Sequence, residues 1–260
     1  MGTLTFYPLS GFPEFTEGMD LPALLRERLE AQGLSPRKGD ILVVTHKVLS
    51  KVAGQVRELS AVEPSPEAAA LAEQTGKDPR LAEVILSCAE RAYACDRGIV
   101  IAERRDGWIC CNAGVDASNA GGTERVVLLP EDCDRWAREI SQGLTAWCGE
   151  PIPVLICDTH GRALRSGTAG ITVGSFGLEP IRRYTGRTDR DGRRLLSTQE
   201  AVADELSGAA TLVMGQGDES VPAVLVRGYA HTFVETDASA LRLPREQQLY
   251  HLSGQCFEKK

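Results

Sequence analysis

The chain is 260 residues long, 42% apolar and 25% charged, with a formal net charge of -7, enough to bury a substantial core in one large or two small domains. No apolar run approaches the ~20 residues of a membrane-spanning helix, so such a span is excluded, and the acidic balance argues against a nucleic-acid-binding face. Met1 to Ser10 has no Lys or Arg and leads into no continuous apolar core, so no secretory or transit leader is expected and the protein reads as cytoplasmic.

Thr3 to Leu9 alternates in part and suits a half-buried strand, which Gly11 and Pro13 break. Asp20 before Leu21-Pro22 predicts a capped helix with the face Leu21, Leu24, Leu25 and Leu29, ending near Gly33. Ile41 to Val44 is wholly apolar and predicts a strand covered on both faces, closed by the polar Thr45-His46-Lys47. Ser65-Pro66-Glu67 and Pro79 open two packing helices, the second carrying Leu81, Val84, Ile85 and Cys88. Strands are predicted at Ile99 to Ala102, Trp108 to Cys111 and Val126 to Leu129, and an amphipathic helix over Asp132 to Trp147. The same periodicities predict strands at Pro153 to Cys157, Gly170 to Val173 and Val221 to Val226, with a long helix over Thr198 to Met214. Strands and helices intermix without strict alternation, so the expected class is α/β or α+β with mixed β-sheets. The chain reads as a single domain over 1–260, whose lobes, if there are two, meet near 143–153.

No complete P-loop, dinucleotide-binding glycine motif, H-E-x-x-H or nucleophile elbow is present, which disfavours the kinases, dehydrogenases and hydrolases that use them. What remains are polar clusters directly after short apolar strands, where rigid strands aim loop residues. Asn112-Ala113-Gly114-Val115-Asp116-Ala117-Ser118-Asn119 offers small residues for close backbone approach, Asp116 as a hard oxygen donor and Asn119 as a two-way hydrogen-bonding group. It also reads as an Asx-rich turn. Asp158-Thr159-His160-Gly161-Arg162 releases a carboxylate and a hydroxyl together, as a ligand set or as a helix cap. Two carboxylates at two strand ends can converge on hard cations, which usually accompany phosphate chemistry. Lys51 could neutralise phosphate oxygens or be a plain surface lysine, and Met214-Gly215-Gln216-Gly217-Asp218-Glu219-Ser220 could wrap a ligand or simply cap the preceding helix.

Arg182, Arg183, Arg187, Arg190, Arg193 and Arg194 reverse the local sign of charge around only Asp189 and Asp191. They read either as a solvated loop or as a binder of acidic ligands through bidentate contacts. The eight cysteines, Cys88, Cys95, Cys110, Cys111, Cys133, Cys148, Cys157 and Cys256, form no C-x-x-C pair, so most read as buried thiols. A cysteine-dependent amidase or acyltransferase using Cys110 or Cys111 with His46 or His160 is the alternative of another class. Adjacent cysteines on a strand face opposite ways, which places at least one of them in the core.

Gly39 through Lys51, Asn112 through Asn119, Asp158 through Arg162, Ala201-Val202-Ala203-Asp204-Glu205-Leu206 and Val224-Leu225-Val226-Arg227-Gly228 together resemble the coenzyme F420-0:L-glutamate ligase family, in the family's order and over most of the chain. The resemblance implies that family's mixed α/β fold and a cytoplasmic, homodimeric enzyme. Such an enzyme uses GTP and two divalent cations, Mn2+ or Mg2+, with a monovalent cation in addition, to join L-glutamate to F420-0 by an amide bond. It implies Asp116, Asp158, Thr159 and Gln216 as metal ligands. It further implies that the nucleotide is held by Phe12, Pro13, Glu14, Phe15, Thr45, His46, Lys51 and Asn119, with Met214, Gly215, Gln216, Gly217, Asp218, Glu219, Ser220 and Val221. The family's second aspartate motif reads Asp-Thr-Phe-Gly-Arg-Pro-Trp, where this chain has His160, Ala163 and Leu164. Gly174 to Ile181 also replaces an Ala-Gly stretch before Pro-Leu. A related nucleotide-dependent ligase for a different acid and amine is therefore the second expectation.

Overall fold

The computed structural model describes residues 2–95, 98–162, 164–248 and 256–258; Met1 and Ala163 lie outside these. The chain forms two compact units, one of 1–14, 20–45 and 133–242, the other of 15–19, 46–132 and 243–260. The stretch 143–153 lies within the first of them.

In the first unit a five-stranded sheet has the order Thr5–Leu9, Ala223–Arg227, Asp40–Thr45, Val154–Arg162, Arg165–Phe176. Asp40–Thr45 and Val154–Arg162 run parallel and every other pair is antiparallel, the mixed sheet that the intermixed elements predict. Ile41, Val43, Leu155, Cys157, Val224 and Val226 pack with Val202, Leu206, Ala210 and Met214 of the helix Val202–Met214. Leu42, Val44, Val154 and Ile156 are equally buried. They alternate onto the opposite face, where the helix Cys133–Cys148 packs on the sheet and the helix Leu21–Ala31 packs on that helix. Leu21, Leu25 and Leu29 make the buried stripe of the latter, each contributing about 1.5–3 kcal/mol by burial. The expected cap holds, since the Asp20 carboxylate accepts the Ala23 N–H at 3.0 Å.

The strand at Val154 runs on to Arg162, well past Cys157, because Arg165–Phe176 folds back along it and satisfies its backbone. Asp158 to Arg162 is therefore strand, neither a loop nor a helix cap. The long helix begins at Val202, not Thr198, because Gln199 and Glu200 pair instead with Arg183 and Arg182.

A register shift between Thr172 and Gly174 turns the strand over. A Cβ on Gly170 would meet Thr211 of the helix Val202–Met214, whereas one on Gly174 would stand 2.5 Å from the carbonyl carbon of Cys133. Both helices thus seat directly on the strand backbone.

The second unit holds two antiparallel sheets. One has the order Cys256–Glu258, Ala89–Cys95, Ile99–Arg104, Ile109–Cys111; the other has Val56–Glu58, Arg125–Leu128, Val115–Asp116. The helices Pro66–Thr75 and Pro79–Cys88, capped by Ser65 and Asp78 as their sequences predict, close over Val100, Ala102, Val126 and Leu128. Ala89–Cys95 escapes sequence reading because Ala, Glu and Arg favour helix. Its strand state comes from pairing with Ile99–Arg104.

Gly174→Ala should lower unfolding free energy by about 1–3 kcal/mol, since the Cys133 backbone has no room to retreat. A reduced urea midpoint with unchanged slope is the expected result.

Candidate functional site

The residues singled out from sequence gather into two groups, one in each unit. In the first unit, Leu9, Ala223, Val44, Ile156 and Gly174 lie in one row across the sheet. Phe12, Pro13 and Glu14 follow Leu9, Thr45 follows Val44, Asp158 and Thr159 follow Ile156 by two and three residues, and Met214 to Val221 lead into Ala223. The register thus brings all of them to one end of the sheet. The Thr45 N–H donates to the Pro222 carbonyl at 2.9 Å, which ties the strand end to the glycine-rich segment.

Within that segment Gly215 has a φ of 76° and the Gly217 N–H donates to a Glu219 carboxylate oxygen at 2.8 Å. The backbone N–H groups of Glu219 itself and of Gly217, joined by that of Gln216, hold the Glu219 carboxyl below its ordinary range. The N–H groups of the segment thus converge on the Glu219 carboxylate.

Asp158 Oδ1 accepts the Thr159 N–H at 2.7 Å, and Oδ2 lies 3.1 Å from His160 Nε2. Asp204, on the helix beneath, accepts the Thr172 N–H at 2.8 Å. Burial pushes the Asp204 carboxyl up, against the Thr172 bond and the charge of His160.

In the second unit, His46–Val52 is a helix, which the polar run Thr45-His46-Lys47 conceals. Lys47 and Lys51 are therefore one turn apart on one face, as are His46 and Ser50, whose Nδ1 and Oγ lie 3.3 Å apart. His46 is buried and Lys51 half-buried. Phe15 begins the short segment to Met19 that meets the end of this helix, where the Gly18 N–H donates to the Val52 carbonyl at 3.0 Å. Lys47 Nζ lies 2.9 Å from Asp116 Oδ2 and donates to Ser118 Oγ at 2.5 Å. Lys47 is not among the residues marked by sequence, although its four-residue spacing from Lys51 is a signal that points to it.

Asp116 stands on the two-residue strand Val115–Asp116, opposite Val127. The turn before it is left-handed at three successive residues, Asn112, Ala113 and Gly114, with φ of 53°, 54° and 71°. A Cβ at Gly114 would meet that of Leu129 at 2.7 Å, so only glycine fits there. The buried Arg104 fixes this arch by donating to the Ala113 carbonyl at 2.9 Å and to that of Leu129 at 3.2 Å, while pairing with Asp106 at 2.9 Å. Arg104 was not legible as a site residue, because nothing local marks which carbonyls it reaches. Asn119, also left-handed at a φ of 53°, is exposed.

Burial pushes the Asp116 carboxyl up, but the Ser118 N–H and the Lys47 ammonium outweigh it and leave it below the ordinary carboxylate range. Cys110 is buried and Cys111 exposed, as alternation requires, and burial drives the Cys157 thiol far above its usual range. The arginine-rich stretch folds as a hairpin ribbon, with the Tyr184 N–H on the Thr198 carbonyl at 3.0 Å and the Leu195 N–H on the Arg187 carbonyl at 2.8 Å. Arg182 pairs with Glu200 at 3.3 Å and Arg183 with Glu179 at 3.3 Å, while Arg190, Arg193 and Arg194 are exposed.

The fold is thus of the mixed α/β class, with Asp158 and the glycine-rich segment at one end of the sheet in the first unit and Asp116 against the lysine-bearing helix in the second. The family described as F420-0:Gamma-glutamyl ligase matches residues 11–228, and the chain belongs to that family. The coenzyme F420:L-glutamate ligase of Methanothermobacter thermautotrophicus is 40% identical over 241 residues, which are 93% of this chain and 95% of that protein. That of Methanopyrus kandleri is 43% identical over 226 residues, 87% of each chain. That of Methanocaldococcus jannaschii is 35% identical, covering 82% of this chain and 84% of the relative. Among the described residues no helix is long and apolar enough to cross a membrane.

Lys47→Met should raise the Asp116 pKa, because burial then acts with one opponent fewer. A depressed carboxyl contributes stability that is present above its unfolded value and lost as pH falls through the folded value. The variant should therefore lose stability at neutral pH and show a flatter acid limb, with carboxyl carbon NMR reading the Asp116 shift directly.

Proposed function

We propose that this chain joins L-glutamate to F420-0 by an amide bond, with GTP as the driving nucleotide, two divalent cations (Mn2+ or Mg2+) and a monovalent cation, as a cytoplasmic homodimer. The observation that carries the reading is 40% identity across 93% of the chain to a coenzyme F420:L-glutamate ligase, with the quoted aspartate motifs inside the matched region.

A free carboxylate is a poor acyl donor. In the proposed route a carboxylate oxygen of F420-0 attacks the γ-phosphorus of GTP, and the bond to the departing GDP breaks. The glutamate amine then attacks the acyl carbon of the resulting acyl phosphate, phosphate leaves with the bonding pair, and the amine gives up a proton. Such chemistry needs charge neutralisation more than a protein nucleophile.

The residues fit hard cations. Asp116 is held ionised, Asp158 has one oxygen fixed by the Thr159 N–H and the other 3.1 Å from His160 Nε2, and Thr159 and Gln216 are the neutral oxygen ligands of the proposal. Bound there, the cations would screen the triphosphate and stabilise charge on the transferred group. Lys47 holds Asp116 in place and keeps it deprotonated, and Lys51 adds positive charge one helical turn away. The N–H groups around Gly215 to Gly217 suit phosphate oxygens, while Thr45, His46, Asn119, Phe12 to Phe15 and Asp218 to Val221 shape the remaining nucleotide contacts. His160, where the family motif carries an aromatic residue, favours as a second reading a ligase of the same chemistry with a different acid or amine.

Incubation with F420-0, L-glutamate, GTP and Mn2+ should give a mass gain of one glutamyl unit with release of GDP. Asp116→Asn and Asp158→Asn should each lower kcat by roughly 100-fold or more while the circular dichroism spectrum is unchanged. Full activity in both variants at saturating metal would overturn the two-carboxylate site. An activity that resists EDTA and succumbs to iodoacetamide would instead support the cysteine mechanism.

A further inference from the structure

The face alternation of a strand sends Asp158 and His160, two residues apart, to the same side of Val154–Arg162. His160 Nε2 lies 3.1 Å from Asp158 Oδ2, and the side chains are only 15% and 13% exposed. Asp158 Oδ1 is fixed by the Thr159 N–H at 2.7 Å, and the neighbouring backbone is locked into the sheet by the pairings of Thr159 with Gly170 and His160 with Ala169.

We propose that His160 Nε2 and Asp158 Oδ2 are paired donors to one divalent cation, and that the imidazole biases this chain toward nitrogen-accepting transition metals such as cobalt or zinc over magnesium. The proposal rests on the reading of Asp158 as a cation ligand. Two donor atoms each about 2.1 Å from an ion and 3.1 Å from each other subtend about 95° at it, close to the cis angle of octahedral coordination. Oxygen-only sets suit magnesium, whereas imidazole nitrogen favours later first-row metals. An aromatic hydrocarbon ring at position 160, as in the family motif, offers no lone pair, so this preference is a property of the present sequence.

The test uses the full chain loaded with Co2+. The native protein should show a hyperfine-shifted, solvent-exchangeable imidazole N–H proton in its NMR spectrum, and both His160→Phe and His160→Gln should lose it. By calorimetric titration, Co2+ affinity should fall about tenfold or more in both variants, while Mg2+ affinity changes less than about twofold. Co2+ bound without such a proton, or a shifted proton that survives in both variants, overturns the proposal. Loss of Co2+ binding in Asp158→Asn in that case leaves the cation site standing and removes only the role of His160. Co2+ bound equally by native, Asp116→Asn and Asp158→Asn chains, or bound by none of them, overturns both readings.

Discussion

The parallel pairing of Asp40–Thr45 with Val154–Arg162 is the constraint on which the first unit depends. Parallel neighbours cannot be joined by a tight turn. Here the connection is long enough to contain the whole 46–132 segment of the second unit and the helix Cys133–Cys148. Its register is secured from the antiparallel side, where the buried Asp40 lies opposite Arg227 and receives its guanidinium at 2.6 and 2.8 Å. A buried carboxylate that loses such a partner is strongly destabilising, so a slipped register would strand Asp40. Once Asp40 and Arg227 are opposed, Val44 stands beside Ala223 and Ile156, and Thr45, Asp158 and the segment before Ala223 must emerge together.

The second unit reaches a comparable result by a different device. Three left-handed residues in a row are unfavourable outside glycine, and the arch at Asn112 to Gly114 persists because Arg104 spends its donors on it. The guanidinium is 3% exposed and carries three backbone carbonyls besides Asp106. With the arch held, the pairing of Asp116 with Val127 orients the carboxylate toward Lys47.

Environment rather than residue type sets the direction in which each acidic group is shifted. Asp116 and Asp204 are both partly buried and both accept a backbone N–H, yet the carboxyl of the first is depressed and that of the second raised. Asp116 has, besides its backbone bond, a lysine at 2.9 Å and a Ser118 side-chain contact, neither of which Asp204 has among its described contacts. The Ser118 contacts and the lysine together outweigh burial at Asp116, whereas at Asp204 the Thr172 N–H does not.

Sequence alone determined what short-range physics controls: the capped starts at Asp20, Ser65 and Asp78, the doubly covered strand at Ile41 to Val44, the amphipathic helix after Asp132, and the ordered motifs that mark the family. Caps and periodicity act within a turn or two of helix or a strand length, so they can be read locally. The tertiary structure decided that Asp158 to Arg162 is strand, that Ala89–Cys95 is strand despite its helical composition, that Lys47 meets Asp116, and that Arg104 supports the turn before it. Those outcomes depend on partners distant in sequence. Backbone satisfaction by Arg165–Phe176 or Ile99–Arg104 overrides local preference, and a charge pair forms only after two separate elements have packed.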